Sequence, residues 1–185
     1  MKKLLLHTCC APCAIYVVQE LSKEYDLSLY YFNSNIHPAT EYEKRLQEII
    51  TWAKNKDIGL IEADYNPQEW FAVVKDLEEE PEGGSRCLEC FQYRLGATAK
   101  YAKEHNYDLF STTLSISPHK DAEAINRIGS TLGQTNKIEF LEADWKKNDG
   151  FKIACQLSKQ ESFYRQDYCG CVYSLKVKSK KSKVK

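Results

Sequence analysis

Leu4-Leu5-Leu6-His7-Thr8-Cys9-Cys10-Ala11-Pro12-Cys13 is the stretch on which the fold turns. Leu4–Thr8 is a short apolar run of the kind that forms a buried strand. The chain then turns through Cys9–Cys13 into Ala14-Ile-Tyr-Val-Val-Gln-Glu-Leu21, whose apolar positions suit a helix. The same alternation continues. Strands are expected over Asp26–Asn33, Gly59–Asp64, Asp108–Leu114 and Ile138–Ala143. Between them lie helical patterns. One opens at a Thr40/Glu43 capping box and carries Tyr42, Leu46, Ile49, Ile50 and Ala53. A second runs through Trp70, Val73, Val74 and Leu77, a third through Leu95, Ala99 and Ala102, and a fourth through Ala122, Ile125 and Ile128. Five strands alternating with helices predict an α/β fold, a parallel sheet with helices on both faces, followed by an irregular segment with one helix over 144–175. Ligands of such sheets sit beyond the carboxyl ends of the strands. Cys9, Cys10, Cys13, His37, His119 and Lys120 all follow strands and are expected on one rim.

The 185 residues suit one domain, with 43% hydrophobic and 28% charged side chains, values that exclude collagen, coiled coil and whole-chain disorder. No apolar run reaches the length of a membrane span, and Leu4–Leu6 is too short for the core of a signal peptide, so a cytoplasmic protein without a membrane partner is expected. Charge is balanced at 26 basic and 26 acidic residues, yet six of the lysines fall in the last ten positions, Lys176–Lys185. The expected organisation is a catalytic domain over 1–175 and a basic, disordered tail over 176–185. The tail suits a polyanion such as RNA, or serves solubility alone.

Eight cysteines are the dominant chemical signal: Cys9, Cys10, Cys13, Cys87, Cys90, Cys155, Cys169 and Cys171. In a reducing compartment, clustered thiols point to metal or redox chemistry more than to structural disulfides. Cys87-Leu-Glu-Cys90 follows the polar loop Glu78–Ser85 and opens a helix, whose positive end favours thiolate. Vicinal cysteines point apart in an extended chain, and a turn imposed by Pro12 would bring Cys9 and Cys10 to one side. Two thiols from each group would complete a [4Fe–4S] site, with tetrahedral zinc as the competing reading. Cys13 is then a spare rim thiol, available to an additional mononuclear metal ion. Cys169-Gly-Cys171 can close only a strained, readily reduced disulfide, which suits a redox shuttle. The preceding Ser162-Phe-Tyr-Arg-Gln-Asp-Tyr168 offers Tyr164, Arg165 and Gln166 for stacking on a base and holding a phosphate or sugar, or else packs as an aromatic helix. His119 and Lys120, in Ser117-Pro-His-Lys120, supply a proton donor and a cation. His7 reads as core or as a support for the cysteines, His105 as a helix C-cap, His37 is ambiguous, and Cys155 reads as a buried hydrophobe.

In chain order, His7-Thr-Cys-Cys-Ala-Pro-Cys13, Cys87-x-x-Cys90, Ser117-Pro-His-Lys120 and Phe163-Tyr-Arg-Gln-x-Tyr-Cys-Gly-Cys171 resemble the QueH-type epoxyqueuosine reductases, over residues 4 to about 173. The resemblance implies reduction of epoxyqueuosine to queuosine at the wobble position of tRNA. It implies a [4Fe–4S] cluster on Cys9, Cys10, Cys87 and Cys90, a redox pair at Cys169 and Cys171, and a fold like that of the adenine nucleotide α-hydrolases. The Ser-Gly-Gly-x-Asp-Ser phosphate loop of ATP-using members of that fold is absent after the first strand, where His7–Cys13 stands instead. The partners expected are tRNA carrying epoxyqueuosine and an unidentified electron donor. The alternatives are a cluster-dependent tRNA sulfurtransferase, which would need ATP and a persulfide cysteine, and a zinc-stabilised RNA-binding module, which leaves Cys169-Gly-Cys171 unexplained.

Overall fold

The computed structural model describes residues 1–175; the lysine tail expected over 176–185 lies outside the described residues. Five strands, β1 (Lys2–His7), β2 (Tyr25–Tyr31), β3 (Gly59–Glu62), β4 (Leu109–Thr112) and β5 (Glu139–Phe140), form one sheet in the order β3-β2-β1-β4-β5. Every pairing is parallel. β1 is central, which explains its uninterrupted leucines: Leu4, Leu5 and Leu6 are each fully buried because both faces of the strand are covered. Leu4 and Leu6 pack with helix α1 (Ala11–Leu21) and helix α2 (Ala39–Asn55), whereas Leu5 points to the other face, against Ala99 and Ala102 of helix α4 (Ser85–Glu104). Helix α3 (Pro67–Val73) precedes α4, and helix α5 (Ala122–Asn136) packs beside it. Helix α6 (Gly150–Gln160), the one helix expected after residue 144, lies along α1.

Several boundaries differ from the sequence expectation for local reasons. α1 starts at Ala11 rather than Ala14, with Pro12 in its first turn, where a missing N–H costs nothing. The reversal after β1 is therefore made by Thr8–Cys10, not by Pro12. The Thr40/Glu43 capping box does not form: α2 begins one residue before Thr40, with Pro38 at the cap position and no side-chain cap bond. β5 keeps only two ladder residues, because it pairs with β4 alone at the sheet edge. Asn66 and Asp121 do cap α3 and α5, accepting from Glu69 N at 3.4 Å and from Glu123 N and Ala124 N at 2.9 and 3.1 Å. The chain order reverses between β1 and β4, whose successors leave in opposite directions across the sheet. A crevice opens at their carboxyl ends.

Candidate active site

That crevice is a cavity of about 570 Å³. Cys9 and Cys13 come to its wall from the β1–α1 turn, Ser117–Lys120 from the segment after β4, Cys155 from α6, and Arg165–Cys169 from the C-terminal segment. A smaller pocket of about 50 Å³ adjoins it, lined by Cys87, Cys90, Cys169, Cys171, Asn35 and Arg94 among others. Cys169, His119 and Lys120 line both. All eight cysteines thus face one continuous region, seven through the linings of the two pockets and Cys10 through its thiol neighbours.

The tightest group is Cys9, Cys10 and Cys13, whose sulfurs all lie within 4.8 Å of one another, with Cys9 Sγ to Cys10 Sγ at 3.8 Å. Cys10 is the N-cap of α1 and Cys13 sits in its first turn, so three-residue spacing stacks the two thiols over the positive end of the helix. Cys13, set aside in the sequence reading as a spare thiol, is a full member of this trio. Hydrogen bonds from Cys10 and Cys13 pull the Cys9 thiol well below its ordinary range, while burial and the same neighbours push Cys10 well above it. One proton-poor sulfur flanked by two protonated ones is what metal-free thiols crowded at one corner do.

Cys87 and Cys90 occupy the first two turns of α4 and do not join that trio within 4.8 Å. Each sulfur accepts an N–H: Gly83 N donates to Cys87 Sγ at 3.2 Å, and Trp70 Nε1 to Cys90 Sγ at 3.4 Å. Burial raises both thiols, opposed at Cys87 by the Gly83 bond and at Cys90 by the charge of Arg94. Trp70 is fully buried and packs with Cys90 and Cys171.

Cys169 and Cys171 are free thiols, as are the other six cysteines. Gly170 between them has φ of +103°, and a side chain there would meet Ile36 Cγ1 at 2.8 Å. Only glycine turns the chain so sharply at this contact. A hydrogen bond from Cys171, reinforced by the Lys120 charge and Ser174, overcomes burial and brings Cys169 down to about 5; Cys171 is correspondingly raised. Cys169 is therefore the thiolate of the pair at neutral pH. Arg45 on α2 fixes this turn, donating to Tyr168 O at 3.2 Å and Cys169 O at 3.3 Å while paired with Glu41 at 2.7 Å. Arg45 was missed in the sequence because a charged residue amid Glu43, Lys44 and Gln47 reads as solvated surface; its i, i+4 spacing from Glu41 is the one local sign of a buried pair.

The remaining candidates separate. Gln166 donates through Nε2 to Cys10 Sγ at 2.9 Å, so it touches the thiol trio. Arg165 is exposed on the cavity wall and donates to Cys155 Sγ at 3.2 Å. Tyr164 lies against α2 instead: its hydroxyl donates to Glu41 at 3.2 Å, its backbone N to Glu48 at 2.6 Å, and Lys44 Nζ sits 3.3 Å above its ring. The stretch 162–168 is not a helix, since α6 ends at Gln160. Cys155 is not a buried hydrophobe but a partly exposed thiol on the cavity wall. His119 is exposed at the mouth of both pockets. Burial works against the Lys120 charge, but the Cys169, Cys9 and Cys13 sulfurs outweigh it and raise the ammonium pKa. His7 is core: burial lowers it to about 3, and the neutral ring bridges Thr112 Oγ1 at 2.9 Å and Phe32 O at 3.3 Å. His105 caps α4 as expected, Nδ1 against Tyr101 O at 2.9 Å. His37 Nδ1 lies 2.9 Å from Asn35 O, and its ring packs on Trp70 and Phe71. Phe151, an exposed aromatic on the cavity rim, carried no sequence signal beyond an apolar position in α6.

The model of one protein family, described as epoxyqueuosine reductase QueH, matches residues 4–177 of this chain. The chain belongs to the QueH family. Among named relatives, the QueH of Streptococcus pyogenes is 42% identical over 94% of this chain and 71% of its own length. That of Haemophilus influenzae is 42% identical over 96% and 74%, and that of Thermotoga maritima 34% identical over 95% and 91%. Membership of this family makes the chain an oxidoreductase of tRNA processing and queuosine biosynthesis. The fold itself has a solved neighbour, a predicted subunit of a tRNA methyltransferase from Methanocaldococcus jannaschii, with TM-score 0.50 and 12% identity over 85% of this chain and 88% of that one. Among the described residues, no helix is long and apolar enough to cross a membrane.

Proposed function

We propose that the chain removes the epoxide oxygen of epoxyqueuosine in tRNA as water, leaving the alkene of queuosine, with electrons delivered through thiolate-bound iron and a dithiol. The observation that carries this reading is the junction of the two pockets, where Cys169 and Lys120 stand between the thiols of the β1–α1 turn and those of α4. Cys9, Cys10, Cys87 and Cys90 are assigned as ligands of a [4Fe–4S] cluster. Three features support that fit: two thiol groups at positive helix ends, N–H donors aimed at Cys87 and Cys90, and a surplus of nearby positive charge, since Lys120 and Arg94 have no carboxylate partner among the described residues. When bound, such a cluster supplies single electrons at low potential. The close approach of Cys13 to Cys9 and Cys10 favours its use as a ligand for an additional mononuclear metal ion.

The chain's own groups account for the rest of the balance. Opening and deoxygenating the epoxide consumes two electrons and two protons and releases one water. Oxidation of the Cys169 thiolate and the Cys171 thiol to a disulfide releases two electrons and one proton, so one pair matches one substrate in electrons. The second proton comes from Lys120 or His119, and an external two-electron reductant must restore the pair. Lys120, held protonated by the surrounding sulfurs, and His119 at the mouth are the proton donors for the leaving oxygen. Arg165 on the wall binds a phosphate or sugar of the tRNA. Gln166 holds the edge of the substrate site against Cys10, and Tyr164 orders the segment on α2. Residues 1–175 form the catalytic domain.

Anaerobically purified protein is expected to be brown, to contain about four iron atoms per chain or more, and to convert epoxyqueuosine in an anticodon stem-loop without ATP. Colourless, zinc-loaded protein that still binds tRNA would overturn the reductive reading; strict ATP dependence would turn it towards sulfur transfer. The tail 176–185 is proposed to meet tRNA phosphates. Deleting it should weaken tRNA binding and reduce the slope of log affinity against log salt by about 0.7 to 0.9 per lysine engaged. An unchanged slope assigns the tail to solubility.

A further inference from the structure

Three arginines are almost fully buried: Arg45, Arg86 and Arg94, at 1%, 2% and 3% exposure. A guanidinium taken out of water is costly unless it meets an anion or a full set of acceptors. Arg45 has the carboxylate of Glu41 at 2.7 Å. Arg86 has no carboxylate partner among the described residues and its Nε is unpartnered there, but its Nη1 is held by the backbone carbonyls of Leu77, Glu78 and Glu80. Arg94 has neither. Among the described residues its one hydrogen bond is from Nη2 to the neutral amide oxygen of Asn33 at 2.6 Å, and its buried Nε has no partner there. Asn33 is itself fixed, because its amide nitrogen donates to Thr8 O at 2.9 Å. No carboxylate lies within ion-pair distance of Arg94 among the described residues.

Arg94 sits on α4 one turn beyond Cys90 and lines the smaller pocket with Cys87 and Cys90. Glu82 and Asp121 line the same pocket, but neither lies within ion-pair distance of Arg94, so the anionic groups on its own helix that would face it in a loaded site are the thiolates of Cys87 and Cys90.

We infer that Arg94 is the fixed counter-charge of the iron–sulfur centre, holding its anionic form in the buried site and setting its reduction potential. The inference rests on the cysteine assignment proposed above. Adding an electron makes such a centre more negative, so a buried, uncompensated cation favours the reduced state and raises the potential. Guanidinium does not deprotonate in proteins, so this contribution is constant across pH. Arg94 is a positioning and tuning residue; it is not assigned contact with the substrate.

The test is a redox titration of the full chain, purified anaerobically, comparing wild type with Arg94→Gln, Arg94→Met and Arg94→Lys, with iron measured in each. Met fills similar space without charge and Lys keeps the charge, so packing and electrostatics separate. Gln and Met are expected to shift the midpoint downward by at least the equivalent of a tenfold change in the reduced-to-oxidised ratio, about 59 mV for one electron. Lys is expected to stay near wild type. Loss of iron from Gln and Met with retention in Lys is the same compensation read through binding. Equal midpoints in all four proteins, a Lys variant displaced as far as Gln and Met, or equal iron loss in all three variants would overturn the inference. Wild-type protein without iron would instead defeat the cluster assignment.

Discussion

Cys169→Ser and Cys171→Ser are each expected to abolish turnover of epoxyqueuosine, by about 10⁴-fold or more, while leaving iron content and melting temperature close to wild type. The magnitude follows from removing one member of a two-group chemical unit, where either loss disables both. Serine is nearly the size of cysteine and keeps hydrogen bonds at this turn, where Cys169 Sγ lies 3.3 Å from Ser174 Oγ and accepts from Cys171 N at 3.4 Å. It cannot form a disulfide. The turn is also fixed from outside the pair, by Arg45 on the Tyr168 and Cys169 carbonyls and by His37 N donating to Gly170 O at 2.8 Å. The substitutions therefore test electron storage more than folding. Iron, melting temperature and turnover measured on the same preparations assign the pair: iron lost with activity makes the cysteines ligands, and lowered melting with turnover kept per folded molecule makes them structural. Wild-type turnover with iron intact would end the dithiol proposal.

Cys87→Ala and Cys90→Ala are expected to bleach the protein and remove its iron, with turnover falling at least about 100-fold. Loss of a partner one shell further out already costs about 10–100-fold in metal affinity or activity, so loss of a ligand should exceed that. The two variants should differ in fold stability. Cys90 is buried against Trp70, whose indole N–H donates to it, so alanine leaves a buried donor unpaired at a cost of about 1–3 kcal/mol. Cys87 is partly exposed and its donor, Gly83 N, can turn to water. Iron analysis with chemical denaturation checks both points. Full iron occupancy in either variant would remove that residue from the ligand set, and the trio Cys9, Cys10 and Cys13 would then have to hold the metal with another group.

The two experiments interrogate halves of a site that the sequence exposed unequally. The core strand was legible because Leu4-Leu5-Leu6 has no polar face, which in a chain of alternating strands and helices fits only a central parallel strand. The rim followed, since residues after strands of such a sheet share one edge, and Cys9, His119 and Lys120 do meet there. The capping box at Thr40 failed because α2 starts earlier, at Ala39, with Pro38 two residues before Thr40 in the cap position. Cys155 was misjudged, and the place of Tyr164 on α2 was not legible, for a related reason: whether a side chain faces a cavity or a neighbouring helix depends on how α6 and the segment after it lie on α1 and α2, and spacing within those segments does not encode that.

The sequence by itself determined the α/β class, the succession of strands along the chain and the family, because each is carried by residue type and local spacing. Tertiary structure decided which thiols are neighbours, which of each set is ionised, and which cations are buried beside them. Cys13 joined Cys9 and Cys10 because α1 begins at Ala11; Cys169 became the thiolate because the glycine turn sets Cys171 to bond it, with Lys120, from after β4, adding its charge. Asn33 and Arg94, 61 positions apart in the chain, meet at 2.6 Å, and among the described residues the fold brings no carboxylate within ion-pair distance of Arg94. Charge acts through space and falls with distance and solvent, so its balance at a buried site is set by what the fold brings within a few ångströms, whatever the order of residues along the chain.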